Sequence, residues 1–156
     1  MNVSQVMNQK IIAVNRSTTL SELVELFRNF HTFPLVPVID KDKILIGVVS
    51  FKGLVEAFSS SGQDILKTVP FLDENHTDIF DMDITLEVGE LCIVDDFVQT
   101  KFVTINQDST IQEAYRIMQV HKCEQLPVID SQNKLVGMVG LFDILLAIFR
   151  QKGVIK

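Results

Sequence analysis

The sequence predicts an α+β fold in which one module, a strand followed by a helix, two strands and a helix, occurs twice. The first observation is a pentapeptide, VPVID at residues 36–40, which returns as LPVID at residues 126–130. The second is that the similarity extends over the whole module when the chain is slid against itself by about ninety residues. The third is composition, because 47% apolar and 22% charged residues in a chain of 156 provide enough material for a good core.

The module begins with a lead-in segment, residues 3–14 in the first copy and 94–105 in the second. An amphipathic helix follows each of them. Its start carries a capping box, in which Thr and Glu side chains satisfy backbone N–H groups at the helix end. The boxes are Thr19 with Glu22 and Thr110 with Glu113. Apolar residues then recur at helical spacing; they are Leu20, Leu23, Val24 and Phe27 in the first copy and Ile111, Ala114, Tyr115 and Met118 in the second.

Downstream of this helix, each copy continues with the Pro-Val-Ile-Asp strand, a polar turn and a second strand, ILIGVVS or KLVGMVG. A short apolar helix, FKGLVEAF or LFDILLAIF, ends the module. The predicted organisation is a first repeat over residues 1–59, an acidic connector over residues 60–93 and a second repeat over residues 94–156. One module of this size cannot bury both its helices and its sheet, so the two copies should pack together with pseudo-twofold symmetry.

Charge and composition restrict the function. The formal net charge of −6 and the pI of about 5.0 argue against nucleic acid and against an anionic membrane surface, because both require a concentrated basic face. The chain shows no signal-peptide pattern, and no stretch approaches the roughly 20 apolar residues of a membrane span. Cys92 and Cys123 have neither metal nor redox spacing, so we expect reduced thiols in a cytoplasmic protein.

The two copies resemble a tandem of cystathionine-β-synthase (CBS) domains, often called a Bateman module. The resemblance rests on the Leu/Val-Pro-Val-Ile-Asp strand and on the Gly-apolar-apolar strand that leads into a short helix, and it covers residues 3–59 and 94–150. It implies a stand-alone regulatory module that binds an adenosine-containing ligand (AMP, ADP, ATP, S-adenosylmethionine or a cyclic dinucleotide) and signals to a partner protein. No resident cofactor is expected. The negative net charge favours AMP or S-adenosylmethionine over ATP.

The resemblance also implies a ligand site in the cleft between the repeats, where the Asp of a Gly-apolar-x-Thr/Ser-x-x-Asp stretch holds the ribose hydroxyls. The second repeat keeps Asp143 but has Gly140 in place of the hydroxyl residue. A carboxylate can accept two hydrogen bonds from a cis-diol, and a helix start favours phosphate. The alternative is that Asp143 is only an acid favoured by the helix dipole. The residues expected at this site are Met138, Gly140, Phe142 and Asp143, with Ala13, Phe33, Pro34 and Leu35 from the first repeat.

The corresponding stretch of the first repeat keeps a hydroxyl at Ser50 but has Gly53 where the Asp should be. A second, weaker cleft is expected there, and it offers groups for a phosphate rather than for a ribose. Its expected residues are Ser50, Lys52, Thr104 and Gln125, with Cys123 and Glu124 beside them. Thr104 also has the simpler interpretation of a structural residue that closes a strand.

No pattern in the sequence indicates catalysis or a metal site. His31, His76 and His121 are scattered and lack a metal-ligand spacing. The sequence contains neither an activated nucleophile beside its base nor a Gly-rich phosphate loop. The protein is therefore expected not to be an enzyme.

The connector is strongly acidic, and residues 68–100 contain no Lys or Arg. Residues 80–88 alternate between apolar and polar side chains, which predicts an additional strand with one apolar and one acidic face. A solvated loop is the simplest interpretation of the acids. The alternatives are a docking arm for a basic partner and a weak divalent-cation site at Asp78, Asp81 and Asp83, although the spacing is not that of an EF-hand loop.

The last helix is apolar on nearly all sides, through Leu141, Phe142, Ile144, Leu145, Leu146, Ala147, Ile148 and Phe149. A helix of this kind should be buried on all sides. Its own core can cover one face, and a second chain is the expected cover for the other, so a homodimer is predicted.

The alternative to a ligand-binding regulator is a scaffolding module with empty clefts that acts through protein–protein contact.

Overall fold

The computed structural model describes residues 1–31, 34–58 and 86–156. Its helices are α1 (Leu20–Leu26), α2 (Phe51–Phe58), α3 (Leu86–Leu91), α4 (Ile111–His121) and α5 (Leu141–Gln151). Its strands are β1 (Val36–Ile39), β2 (Leu45–Val49), β3 (Ile105–Asn106), β4 (Gln125–Ile129) and β5 (Leu135–Gly140). Short 3-10 turns at Val3–Gln5 and Val94–Asp96 lie in the two lead-in segments. Each copy of the module therefore has the predicted order of helix, two strands and helix, and the α+β class is confirmed.

The chain forms two compact units that do not coincide with the two sequence repeats. The first unit combines Ile12–Asp40 with Ile46–Lys101. The second unit combines Met1–Ile11, Lys41–Leu45 and Phe102–Lys156. Each unit therefore contains most of one repeat together with the lead-in segment of the other.

The two helices behind the lead-in segments begin as predicted. The Thr19 hydroxyl accepts the Glu22 N–H at 3.2 Å, and the Glu22 carboxylate accepts the Thr19 N–H at 2.8 Å, which forms the complete box at α1. At α4, the Thr110 hydroxyl accepts the Glu113 N–H at 3.2 Å. Both Thr residues are extended, as expected of an N-cap.

The sheet of the second unit has the order β3-β4-β5, with β3 parallel to β4 and β4 antiparallel to β5. In the first unit, β1 pairs with β2, and a parallel bridge between Val14 and Val38 replaces the strand equivalent to β3. The turns before β2 and β5 each contain a residue with positive φ, Lys43 (64°) and Asn133 (61°). The repeats thus share their turn geometry as well as their helices and strands.

Each core is completed by a residue from the other repeat's lead-in segment. Val94 is fully buried in the first unit's core, and its N–H donates to the Thr18 carbonyl at 2.8 Å. Val3 is fully buried in the second unit's core, and its N–H donates to the Ser109 carbonyl at 2.8 Å. Burying a Val side chain contributes about 1.5–3 kcal/mol, so each exchanged segment stabilises the unit that receives it.

The connector contains a helix where part of the additional strand is predicted. Residues 86–88 belong to α3, so the predicted strand does not extend over them, and residues 80–85 lie outside the described residues. Val88 and Cys92 are both buried and are one helical turn apart, which favours a helix that turns one face to α1. An ideal Cβ on Gly89 would overlap the Ser21 hydroxyl, so glycine permits this close approach. Asp78, Asp81 and Asp83 also lie outside the described residues.

Helix α5 buries one face, through Ile144 and Ala147. An adjacent face is exposed, and Leu141, Leu145, Ile148 and Phe149 lie on it. The own-chain core therefore covers one side of the helix, as predicted. Among the helices of the described residues, none combines the length and the apolar character needed to cross a membrane.

Candidate functional site

The predicted ribose-binding acid lies in the first turn of α5, directly after β5. Gly140 is the N-cap of this helix, and its N–H donates to Oδ2 of Asp143 at 2.8 Å. Asp143 is half-buried. This hydrogen bond supports the interpretation that Asp143 caps the start of its helix. A carboxylate has two oxygens and about four acceptor positions, so one N–H leaves capacity for a ligand.

The start of β4 lies beside this helix start. Gln125 is opposite Gly140 in the antiparallel register, and the Leu141 N–H donates to the Glu124 carbonyl at 3.0 Å. An ideal Cβ on Gly140 would lie 3.4 Å from that carbonyl oxygen and 3.6 Å from Cγ of Gln125. Gln125, which the sequence assigns to the weaker cleft, is thus a neighbour of the Asp143 helix start. Thr104 is half-buried in the same unit and lies just before β3.

The other side of β5 is covered by the N-terminal lead-in segment. Asn8 and Met138 exchange backbone hydrogen bonds of 2.8 and 3.0 Å. An ideal Cβ on Gly137 would lie 2.7 Å from the Met7 sulfur and 3.0 Å from the Asn8 carbonyl oxygen. Glycine therefore permits the close approach of the lead-in segment, which pairs antiparallel with β5. The first unit repeats this arrangement, since a Cβ on Gly47 would lie 3.0 Å from the Gln99 carbonyl oxygen.

The equivalent helix start in the first unit is capped differently. The Ser50 hydroxyl accepts the Gly53 N–H at 3.0 Å, and the Ser50 carbonyl accepts the Leu54 N–H at 2.9 Å. A full capping box needs both an N-cap side chain and an acid three residues later. Of these two groups, the start of α2 has only the N-cap side chain, Ser50, and the start of α5 has only the acid, Asp143.

A residue that the sequence does not single out also lies at the α2 start. Gln99 exchanges backbone hydrogen bonds with Val48 at 3.0 and 2.8 Å. Its side-chain Nε2 donates to the Ser50 hydroxyl at 3.4 Å. An ideal Cβ on Gly53 would overlap the same Nε2 atom. The available sequence signal is the alignment of the lead-in segments, which places Gln99 over Asn8.

The remaining predicted site residues are distributed over both units. Phe142 is 71% exposed beside Asp143, and Lys52 is exposed in the first turn of α2. Ala13, Pro34 and Leu35 are half-buried residues of the first unit, and their approach to Asp143 stays a prediction. Phe33 lies outside the described residues.

The two thiols have raised pKa values. Burial raises the pKa of Cys92, and the negative charge of Asp96 raises it further. Burial also raises the pKa of Cys123, against a smaller opposing effect of a backbone hydrogen bond. Both thiols are therefore protonated at neutral pH, which makes them poor nucleophiles and poor metal ligands.

Within the described ranges, no three His, Cys, Asp or Glu side chains form a group suited to a metal ion. His31 and His121 are exposed, and His76 lies outside the described residues.

Comparison with known proteins supports the prediction that the module occurs twice. The CBS domain family matches residues 3–60 and 94–150. A CBS domain-containing protein of Dictyostelium discoideum is 32% identical over 143 residues, which cover 92% of this chain and 88% of that protein.

Two solved structures share the fold at low sequence identity. CBSX2 of Arabidopsis thaliana, crystallised in complex with AMP, has a TM-score of 0.72 at 22% identity, and the match covers 97% of this chain and 98% of that one. The CBS domain pair of protein MJ0100, crystallised with 5′-methylthioadenosine and S-adenosyl-L-methionine, has a TM-score of 0.67 at 13% identity, with 97% and 98% covered. Since the family match spans most of the chain and appears once in each repeat, the chain belongs to the CBS domain family and contains two copies of the domain.

Proposed function

We propose that the chain is a stand-alone regulatory CBS pair that binds an adenosine-containing ligand of low negative charge, AMP or S-adenosylmethionine, and passes its bound state to a partner protein. The ligand site includes Asp143, Gly140, Met138 and Phe142. Ala13, Phe33, Pro34 and Leu35 are the predicted remainder of the pocket.

The observation that carries the proposal is the orientation of the Asp143 carboxylate. One oxygen is fixed by the Gly140 N–H at 2.8 Å, so the carboxylate is held in one position before any ligand arrives. A carboxylate that is already positioned reduces the entropic cost of ligand binding. The remaining acceptor capacity suits the two hydroxyls of a ribose.

The ligand's charge follows from the groups beside this acid. The start of α5 offers backbone N–H groups to a phosphate, but Gly140 supplies no hydroxyl to assist them. Asp143 itself is negative, as is the exposed Glu124 one residue before β4. A single phosphate, or the cationic sulfonium of S-adenosylmethionine, is therefore better accommodated than a triphosphate.

The solved relatives support this ligand class. CBSX2 was crystallised with AMP, and the MJ0100 pair was crystallised with 5′-methylthioadenosine and S-adenosyl-L-methionine. All three compounds contain a 5′-substituted adenosine. A triphosphate also occurs among the solved relatives, since the cytosolic domain of the Mg2+ channel MgtE was crystallised in complex with ATP, so the preference for a low charge rests on the groups beside Asp143.

A scaffolding function is the second candidate, and a specific observation favours it. The exposed face of α5 carries Leu141, Leu145, Ile148 and Phe149, and a contiguous apolar face of this kind is typical of protein–protein contact. In this interpretation Asp143 serves only to cap its helix.

A thermal-shift screen separates the two candidates. The ligands are AMP, ADP, ATP, S-adenosylmethionine, NAD and cyclic-di-AMP. A ligand at about 100 times its Kd stabilises the folded chain by about 2.7 kcal/mol, which shifts Tm by roughly 5–10 °C in a chain of this size. We expect a shift with AMP or S-adenosylmethionine and a smaller one with ATP. If no compound shifts Tm, the scaffolding function takes precedence.

A further inference from the structure

We infer that Gln99 limits the chain to one adenosyl ligand, because its side-chain amide fills the place at the α2 start where a ribose-binding acid would lie. The inference rests on the proposed function, in which Asp143 holds the ribose at the equivalent position of α5. It assigns a specificity-determining role to a residue of the second repeat's lead-in segment.

The equivalence of the two helix starts is geometric. Asp143 is the third residue of α5, and Gly53 is the third residue of α2. The direction in which a side chain would leave Gly53 is occupied by the amide of Gln99, whose Nε2 overlaps an ideal Cβ there and whose Cδ lies 3.4 Å away. An acid at position 53 and Gln99 in its present position are therefore mutually exclusive.

The position of Gln99 is set by its backbone. Its N–H and C=O both pair with Val48, at 2.8 and 3.0 Å, so the residue is held on β2 directly before the helix start. Its Nε2 then donates to the Ser50 hydroxyl, which also accepts the Gly53 N–H. Two contacts thus position the carboxamide. The first is the backbone pairing of Gln99 with Val48, and the second is the hydrogen bond to the Ser50 hydroxyl.

The chemistry at this point is the reverse of that at Asp143. A carboxylate presents only acceptors, which a cis-diol can donate to. The atom of Gln99 that faces position 53 is a nitrogen donor. A ribose placed here would lose its paired acceptor and would also have to displace the Gln99–Ser50 contact.

The experiment restores the acid and removes the obstruction in the full-length chain. The main variant combines Gly53→Asp with Gln99→Ala, and calorimetry with AMP counts the ligands bound per chain. Gly53→Asp should fold, because Gly53 does not have positive φ, an interior Gly disfavours a helix and an acid in the first turn is favourable. Gln99→Ala replaces an exposed side chain. Circular dichroism confirms the fold of each variant.

The matched control combines Gly53→Asp with Gln119→Ala. Gln119 also donates its side-chain amide to a hydroxyl, that of Tyr115 at 2.9 Å, but it lies in α4 of the other unit. We expect one AMP per wild-type chain and two in the main variant. In the control and in Gly53→Asp alone, where the exposed Gln99 amide must first be displaced, the second AMP should bind at least about tenfold more weakly. The inference is overturned if the folded main variant gains no AMP, or if the control gains one equally well.

Two further outcomes separate this inference from the proposed function. A wild-type chain that binds neither AMP nor S-adenosylmethionine, with a main variant that binds one of them, contradicts the Asp143 site and supports the role of Gln99. A wild-type chain that binds two AMP contradicts the role of Gln99 and leaves the adenosyl function intact.

A second readout does not depend on the new site. The side-chain amide signals of Gln99 in a ¹⁵N spectrum should shift in Ser50→Ala and should stay unchanged when the wild type is saturated with AMP. An AMP-induced shift of these signals, equal to the shift of the Gly140 backbone amide, would overturn the inference.

Discussion

The Asp143 carboxylate accepts the Gly140 N–H at 2.8 Å, so a single side chain both caps α5 and presents an oriented acceptor next to the helix start. The cap uses one oxygen and requires only an acceptor. A ribose would use the remaining capacity and requires more than one acceptor. The two roles can therefore be separated by substitution.

Asp143→Asn and Asp143→Ala should differ in stability, whereas both should weaken AMP binding. Asn keeps an oxygen for the Gly140 N–H, whereas Ala leaves that N–H without its acceptor, so we expect Ala alone to lose about 1 kcal/mol of unfolding free energy. Both variants lose the paired acceptor for a diol, so AMP affinity should fall by about tenfold or more in each, which corresponds to at least about 1.4 kcal/mol. Urea unfolding and calorimetry measure the two quantities.

Asp96 provides a control for this pair of variants. Its carboxylate accepts the Ile93 N–H at 2.9 Å with the same three-residue spacing, but in the second repeat's lead-in segment, which belongs to the first unit. Asp96→Asn and Asp96→Ala should keep wild-type AMP affinity. If Asp143→Asn binds AMP as tightly as the wild type does, Asp143 is only a helix cap.

Gly137→Ala should destabilise the chain and weaken AMP binding together. The new Cβ would press on the Met7 sulfur and the Asn8 carbonyl oxygen, and overpacking of this kind costs about 1–3 kcal/mol. Because β5 leads directly into Gly140 and Asp143, a displaced lead-in segment also displaces the site. Thermal unfolding and calorimetry test this expectation.

Gly47→Ala is the matched comparison, since Val98 and Gln99 approach Gly47 in the same way in the first unit. It should cost a similar amount of stability and leave AMP affinity closer to that of the wild type. Equal losses of affinity in both variants would contradict a site based on the second unit.

Much of the fold was predictable because its signals are local. A capping box such as Thr19 with Glu22 spans three residues, and the helical spacing behind it needs no tertiary information. The exchange of lead-in segments was not predictable in this way. The Asn8–Met138 bridge is an isolated pair without periodicity, and nothing in a single sequence indicates that Val3 packs in the core formed mainly by the second repeat.

The site was predictable only in part, for the same physical reason. Asp143 could be identified because its motif lies within one stretch of chain. Gln99 and Ser50 are 49 residues apart, and their contact depends on the pairing of Gln99 with Val48. The alternation over residues 86–88 fits a strand and a helix equally well, and the turn-to-turn spacing of Val88 and Cys92 decides for the helix.

Charges on the exposed face of α5 should dissociate the predicted homodimer. Leu145 and Ile148 are 49% and 41% exposed on one side of the helix. A Glu side chain at either position would lose its hydration when the interface forms, which costs free energy. The Kd of the dimer should therefore rise by more than about tenfold. Sedimentation velocity at micromolar concentration should show a wild-type dimer and a monomeric double variant.

Leu86→Glu serves as the control for the dimer experiment, because Leu86 is 75% exposed on α3 in the other unit. It should leave the sedimentation coefficient unchanged. A wild-type monomer at the same concentration would contradict the predicted homodimer and would leave the α5 face for another partner.

Alkaline pH should destabilise the chain through Cys92. Burial and the charge of Asp96 raise the folded-state pKa above the ordinary value of 9.0, so the contribution is complete below that value and is lost as the pH rises through the folded-state pKa, because the unfolded chain releases its proton first. The loss is at most about 1.4 kcal/mol per pH unit for one thiol. Urea unfolding under reducing conditions at neutral and alkaline pH should therefore show a smaller pH dependence in Cys92→Ala than in the wild type. Equal slopes in the two proteins would mean that the Cys92 thiol titrates alike in the folded and unfolded chains.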